Sequence, residues 1–315
     1  MSKTNDLFSD LNFSDQEKIE CSFNKIAEKI LNNYLLKINC NEYRITEIEF
    51  YYNDECCNNY HPDPYTHRHY RQRLNAQWYF HRKGRGGLDI TFGKGKNCKV
   101  YGGILIRAIE KYNQNKTNEN DNYSEGPCKV VEKIFEVIKS KEDKNRLKKI
   151  IKGKRVFNKN NILHLDKNDI LHLDKKNIDS QNEIAVYKAP RVGLQPNIDK
   201  PEWDKYIMKN YRYFVQHTNL CNYPSKDREL IFLSILFKKN KCKKKRESIK
   251  KLYNNIKIPT IKKYKTYYKD GEKLRKGGKK DEIEKFINET YTDFGVKNRC
   301  KLYGLLNEGV QNESR

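Results

Sequence analysis

The ten residues Tyr43-Arg-Ile-Thr-Glu-Ile-Glu-Phe-Tyr-Tyr52 set the fold class of this chain. Ile, Thr, Phe and Tyr dominate them, the β-branched and aromatic types that fit a pleated surface. Their alternation predicts a strand with Glu47, Glu49 and Tyr51 on one face and Ile48 and Phe50 on the other. Two carboxylates therefore share a strand face. Either that face is solvated, or it is buried and the acids are held there for chemistry.

Around this strand the pattern is mixed. Ser14-Asp-Gln-Glu17 reads as a capping box, and Ile19, Phe23, Ile26, Ile30 and Tyr34 follow at helical spacing, which predicts a scaffold helix over residues 15 to 36. Trp78 to His81, Leu88 to Phe92 and Gly103 to Ile109 read as short strands separated by Gly-rich turns, the pattern of an antiparallel sheet. Lys111 to Glu125 reads as a loop, and Gly126-Pro127 opens a helix whose apolar stripe is Val130, Val131, Ile134, Phe135 and Ile138. Ile162-Leu-His-Leu-Asp-Lys-Asn recurs from Ile170, and two copies read as a local duplication within an insertion, not a solenoid. Ile184 to Tyr187 and Tyr211 to Val215 are further strands, and residues 281 to 305 are helical.

Composition limits the function. The chain has 315 residues and nine scattered cysteines with no C-x-x-C pair, which fits free thiols in a reducing compartment better than a disulfide framework. Its longest apolar runs, such as Glu229 to Phe237, stop short of the ~18 residues that cross a bilayer, and the first twenty residues lack the apolar block of a secretory leader. Lys and Arg number 65 against 41 acids, a net charge of +24, so a polyanion is the expected partner. AT-rich coding favours Lys whatever the function, which makes the 16 Arg the less biased witnesses. Five of them, Arg68, Arg71, Arg73, Arg82 and Arg85, fall within 18 residues. Lys238 to Lys280 holds 19 basic residues against three acids, with Tyr253, Tyr264, Tyr267 and Tyr268 interleaved, a pattern able to follow phosphates and stack on bases. Lys243-Lys-Lys-Arg246 resembles a nuclear-import run.

Three constellations bear on chemistry. Cys56, Cys57, His61, Asp63, His67 and His69 are candidate zinc ligands, though their spacing fits no strong zinc signature. The face of Glu47, Glu49 and Tyr51, joined by Tyr65, His67, Trp78, Tyr79 and His81, has what is needed to hold a flat base and activate a water beside it. The glycines from His81 to Gly103 match neither a Walker A loop nor the dinucleotide fingerprint, and read as cationic hairpin turns.

Arg44-Ile-Thr-Glu-Ile-Glu49-Phe-Tyr51 resembles the R-I-x-E-x-E-x-Y strand of the alkyladenine (3-methyladenine) DNA glycosylases. Ile104 to Glu110 is similar to that family's L-L-R-A-L-E strand, Gly126-Pro-Cys-Lys129 to its G-P-x-K helix start, and Ala189-Pro-Arg-Val-Gly193 with Tyr211-Arg-Tyr-Phe-Val215 to its closing segment. The resemblance runs collinearly over residues 15 to 220. It implies an α+β fold, a single mixed domain with a curved antiparallel sheet flanked by helices, here residues 1 to 220, followed by a basic, partly helical extension over 221 to 315. It implies a monofunctional glycosylase that removes alkylated or deaminated purines from double-stranded DNA, working as a monomer in the nucleus or cytoplasm, with no cofactor and no membrane.

Within that resemblance Glu49 is the catalytic base and Arg107 helps to hold its water. Tyr51, His67, His81 and Asp89 form the base pocket, and Arg82, Lys83 and Arg85 form the DNA-contacting hairpin. The departures are as informative. His81 stands where the family has a stacking Tyr, Asp89 where it has a pocket Asn, the intercalating Tyr has no counterpart, and His67 follows Tyr51 at a longer interval. A glycosylase-like nucleic-acid-binding protein without catalysis is therefore the alternative, and a metal-dependent nuclease built on His61, Asp63, His67 and His69 is a third reading.

Overall fold

The computed structural model describes residues 7–9, 11–55, 61–81, 86–95, 99–112, 123–152, 163–164, 170–175, 184–197, 199–216, 224–237 and 258–307. Their contacts divide the chain into two units, one of residues 1–186 with 213–221, the other of 187–212 with 222–315. The sequence expectation kept residues 1 to 220 together, whereas here 187–212 groups with the C-terminal helices.

The first unit is α+β, built on a curled antiparallel sheet. Helix α1 (Gln16–Glu28) starts one residue later than expected, because the Asp15 side chain accepts from the Lys18 N–H and serves as N-cap. Its end differs more. The helix passes through a π-helical turn at Lys29–Asn33 and stops, and Tyr34 opens strand β1 (Tyr34–Ile38), which pairs with β2 (Asn41–Asp54). Arg44 caps that turn, its Nε and Nη2 donating to the Leu31 carbonyl at 3.3 and 3.2 Å. Burial holds the Arg44 pKa below its ordinary value, with Glu110 pulling the other way.

Strands β3 (His61–Pro62), β4 (Asn75–Phe80), β5 (Leu88–Phe92), β6 (Val100–Lys111) and β7 (Tyr123–Glu125) follow, so the end of the expected 111–125 loop is a strand paired with β6. Helices α2 (Pro127–Val137) and α3 (Lys141–Lys152) come next. Both copies of the repeated segment contribute a strand to the sheet. Its first copy supplies β8 (Leu163–His164), paired with β4, and its second supplies β9 (Leu171–Lys175), paired with β1. The sheet runs β8-β4-β5-β6-β2, with β1 and then β9 attached beyond β2. The Trp78 indole of β4 donates to the Leu171 carbonyl of β9 at 2.9 Å, a contact between strands far apart in that order, which only a curled sheet allows.

One sheet face is apolar. Phe23 of α1 stacks on Phe50 with ring centroids 4.4 Å apart, Phe13 stacks on Tyr52 at 4.6 Å, and Tyr213 meets Phe50 edge-on at 5.3 Å. Ile48, Ile90, Phe92, Ile104 and Ile106 complete this core, as the alternation predicts. The opposite face carries the acids.

In the second unit, strand β10 (Tyr187–Ala189) precedes α4 (Trp203–Ile207), and strand β11 (Arg212–Phe214) leads back to the first unit. Helices α5 (Arg228–Phe237), α6 (Ile258–Gly277), α7 (Lys280–Thr292) and α8 (Val296–Leu306) make up its remainder. Helices α6 and α8 cross closely at glycines: a Cβ on Gly271 would run into the Lys301 carbonyl, and one on Gly304 into that of Tyr268. Glu229 is buried and paired with Arg299. Tyr268 is buried as well, stacked on Phe237 at 4.1 Å, so this ring is a core residue and not the exposed stacking platform that its Lys-rich context suggests. Residues 238–257, with the 243–246 basic run, lie outside the described residues.

Candidate active site

Four strands bring the acid-bearing face together. In register, Glu49 of β2 pairs with Leu105 of β6, Leu105 with Asp89 of β5, and Asp89 with Tyr79 of β4. Directly paired residues point to the same side, so these side chains form one row across the sheet. Two strand spacings separate Glu49 from Asp89, roughly 10 Å.

At one end of the row stands an ionic cluster. The β2–β6 register on both sides of Glu47 points that residue toward Arg107, although an irregularity between Ile45 and Ile48 pairs Glu47 itself with Ala108. Arg107 Nε donates to Glu47 Oε1 at 2.8 Å and Nη1 to Glu49 Oε2 at 3.4 Å, while the Tyr51 hydroxyl donates to the same Glu49 Oε2 at 2.9 Å. Both carboxylates have 0 % exposed surface, which excludes the solvated-face interpretation of this strand. Burial works against the charge on Arg107, but Glu49 and then Glu47 outweigh it and hold the guanidinium pKa above its ordinary value.

The other end is an imidazole and tyrosine wall. The Tyr79 hydroxyl and His67 Nδ1 lie 3.0 Å apart, His69 stacks on Tyr79 at 4.6 Å, and the His81 ring lies 5.0 Å from Tyr79 and 5.5 Å from His67. Asp89 is nearly fully buried, accepting from Gln72 Nε2 at 3.0 Å and facing His81 Nε2 at 2.9 Å. The His81 contact is an ion-pair approach, its N–H not aligned as in a regular hydrogen bond. Two glycines make room for this set. A Cβ at Gly87 would lie 3.0 Å from His81 Nδ1, and one at Gly103 would lie 2.6 Å from Asp89 Oδ2 and 2.7 Å from Gln72 Nε2.

The two imidazoles titrate apart. Burial lowers the His67 pKa, and the charge of His81 lowers it further, against a smaller opposing pull from Asp89. Burial also opposes charge on His81, but Asp89 outweighs it and the His81 pKa sits above the ordinary 6.5. A pKa raised on folding contributes stability that is complete below the unfolded value and lost as pH rises through the folded value. Wild type should therefore lose a few tenths to about 1 kcal/mol between pH 5.5 and 8.5 that His81→Gln does not lose, the scale of a partly exposed ion pair. Urea melts of both proteins at the two pH values measure it, and parallel pH profiles would remove the pair from the stability account.

The structure thus brings together Glu49, Arg107 and Tyr51, and separately His67, His81 and Asp89, on one face. Trp78, grouped with the aromatic wall in the sequence reading, is on the opposite face, because neighbours in a strand alternate. Tyr65 lies in the loop after β3, its backbone N–H held by Asp63 Oδ1 at 3.1 Å. Gln72 joins the site without having been singled out in the sequence, and His69, read there only as a candidate metal ligand, joins the ring wall. Glu47 was legible from its shared face with Glu49, whereas nothing in the sequence marks Gln72. Arg82, Lys83, Arg85, Cys56 and Cys57 lie outside the described residues. Of the proposed zinc ligands, His61 is buried with Nδ1 2.9 Å from Gln16 Oε1, and Asp63 caps its own loop. Among the described residues no group of three potential ligands converges. None of the helices described there is long and apolar enough to cross a membrane.

No protein-family model matches the chain. It is 37% identical over 151 residues to the uncharacterized protein L759 of Acanthamoeba polyphaga mimivirus, an alignment covering 42% of this chain and 62% of that protein.

Proposed function

We propose that the chain is a monofunctional DNA glycosylase that hydrolyses the N-glycosidic bond of alkylated or deaminated purines and leaves an abasic site, as the resemblance to the alkyladenine family implies. The observation that carries this reading is a fully buried Glu49, held by Tyr51 and Arg107, on the same sheet row as a wall of rings. In the proposed reaction an extruded nucleotide enters this face, and Glu49 takes a proton from a water as its oxygen bonds to the sugar C1′. The C1′–N bond breaks, and the base leaves with the bonding pair. The carboxylate also stabilises the positive charge that develops on the sugar. Arg107 and Tyr51 fix the direction of Glu49, and His67, Tyr79 and His81 offer flat surfaces to the base. The groups named need no cofactor. On this reading the protein acts as a monomer on double-stranded DNA, in the nucleus or cytoplasm.

The test is a panel of duplexes each holding one modified purine, scored for alkali-labile sites after incubation with the protein. At least one member should be cleaved after alkali and none before it. Cutting before alkali on any member would point instead to a nuclease. A second reading, base binding without catalysis, is favoured by the Gln72, Asp89 and His81 set, in which the residues at the family's base-reading positions are partnered with one another. Tight binding to a damaged duplex with no alkali-labile product would select it.

A further inference from the structure

Helix α6 carries seven basic residues and two acids along its twenty residues. Its Lys262, Lys265, Lys269, Lys273 and Lys276 recur every three or four positions, which places them along one side of the helix. Lys262, Lys269, Lys273 and Lys276 are exposed. The other side is spent on the core of the second unit through Ile261, Tyr268 and the close approach of Gly271 to α8.

We propose that this lysine stripe binds the phosphate backbone of duplex nucleic acid without regard to sequence. From Lys262 to Lys276 the stripe spans about 21 Å at 1.5 Å per residue, the length of about six base pairs at the 3.4 Å per-strand spacing of phosphates along the duplex axis. Ammonium groups on flexible stems suit phosphates that must be met as point charges, and phosphate contacts position a protein without reading bases. The acids on the helix do not cancel the stripe. Asp270 reaches Lys273 only at 3.8 Å, with 80% of the lysine and 45% of the aspartate side chain exposed, and Glu272 lines a shallow groove with Lys269, Lys273 and Lys276. An anionic membrane is the less suitable partner, because a helix that lies on a bilayer must insert an apolar side, and that of α6 is already covered. The inference is independent of the glycosylase reading, since it rests on charge and exposure in the second unit alone.

The experiment measures binding of the full chain to an undamaged 20-base-pair duplex by fluorescence anisotropy across a salt series. Each lysine that neutralises a phosphate contributes about 0.9 to the slope of log K against log salt. The variant Lys262→Gln, Lys269→Gln, Lys273→Gln and Lys276→Gln should have a slope shallower by about 3 to 4, and the matching Lys→Arg variant should keep the wild-type slope. A control that changes charge equally elsewhere, Lys129→Gln, Lys139→Gln, Lys148→Gln and Lys149→Gln, should leave the slope nearly unchanged. An unaltered slope in the α6 variant, or an equal change in the control, would overturn the proposal. So would retained duplex binding together with lost binding to phosphatidylserine vesicles. If the fourfold variant melts early, Lys269→Gln with Lys273→Gln alone reads out a drop of about 2.

Discussion

Glu49→Gln is expected to lower the single-turnover rate of base release by about 10² to 10⁴-fold, the usual contribution of a positioned general base, while duplex affinity stays near wild type. The substitution is nearly isosteric, so its effect can be chemical without being structural. The Gln carbonyl can still accept from the Tyr51 hydroxyl, and Arg107 keeps Glu47 as its ionic partner at 2.8 Å. What is lost is the negative charge beside the reacting sugar and the group able to take a proton from water. Release at the wild-type rate would remove Glu49 from the mechanism. Loss of release together with an early melt would assign it a structural role instead, and a thermal melt run beside the rate assay separates the two.

Arg107→Ala should be the most destabilising single change in the sheet, by about 3 to 5 kcal/mol, because removing one partner leaves buried charges uncompensated. Here two carboxylates with no exposed surface would face each other across the space of the missing guanidinium. The expected fall in Tm is roughly 10 °C for a domain of this size. Arg107→Lys should be intermediate, since one ammonium cannot reproduce the two directed contacts that Nε and Nη1 make to different acids. Adding Glu47→Leu to Arg107→Met should recover part of the loss, and the double-mutant cycle should give a coupling of about 1 to 3 kcal/mol. A stability change under 1 kcal/mol for Arg107→Ala would mean that the acids are not held as described.

Some of this was legible along the chain. The alternation over residues 43 to 52 identified both faces of β2, and the observed apolar core of Ile48 and Phe50 under Phe23 of α1 follows from it. The helical spacing through Ile30 was equally sound, but Tyr34 continued the same spacing by coincidence, and only pairing with β9, where it lies opposite Lys175, makes that residue part of a strand. The Lys-rich tail was recognisable as a basic unit. Its tyrosines, however, looked alike in sequence, and Tyr268 went to the core because its turn of α6 meets Phe237 and Tyr303.

By itself the sequence determined the type and facing of β2, the body of α1 as a helix and the sign of the molecule's charge, because all three depend on residues close together along the chain. Tertiary structure decided that Glu47 and Glu49 are buried and not solvated, that the pairing of β6 with β2 sets Arg107 against both, and that absent side chains at Gly87 and Gly103 let His81 and Gln72 meet Asp89. Arg107 lies 60 and 58 residues from its two acids. Register and desolvation at that separation are set by which strands pair, and local periodicity carries no record of it.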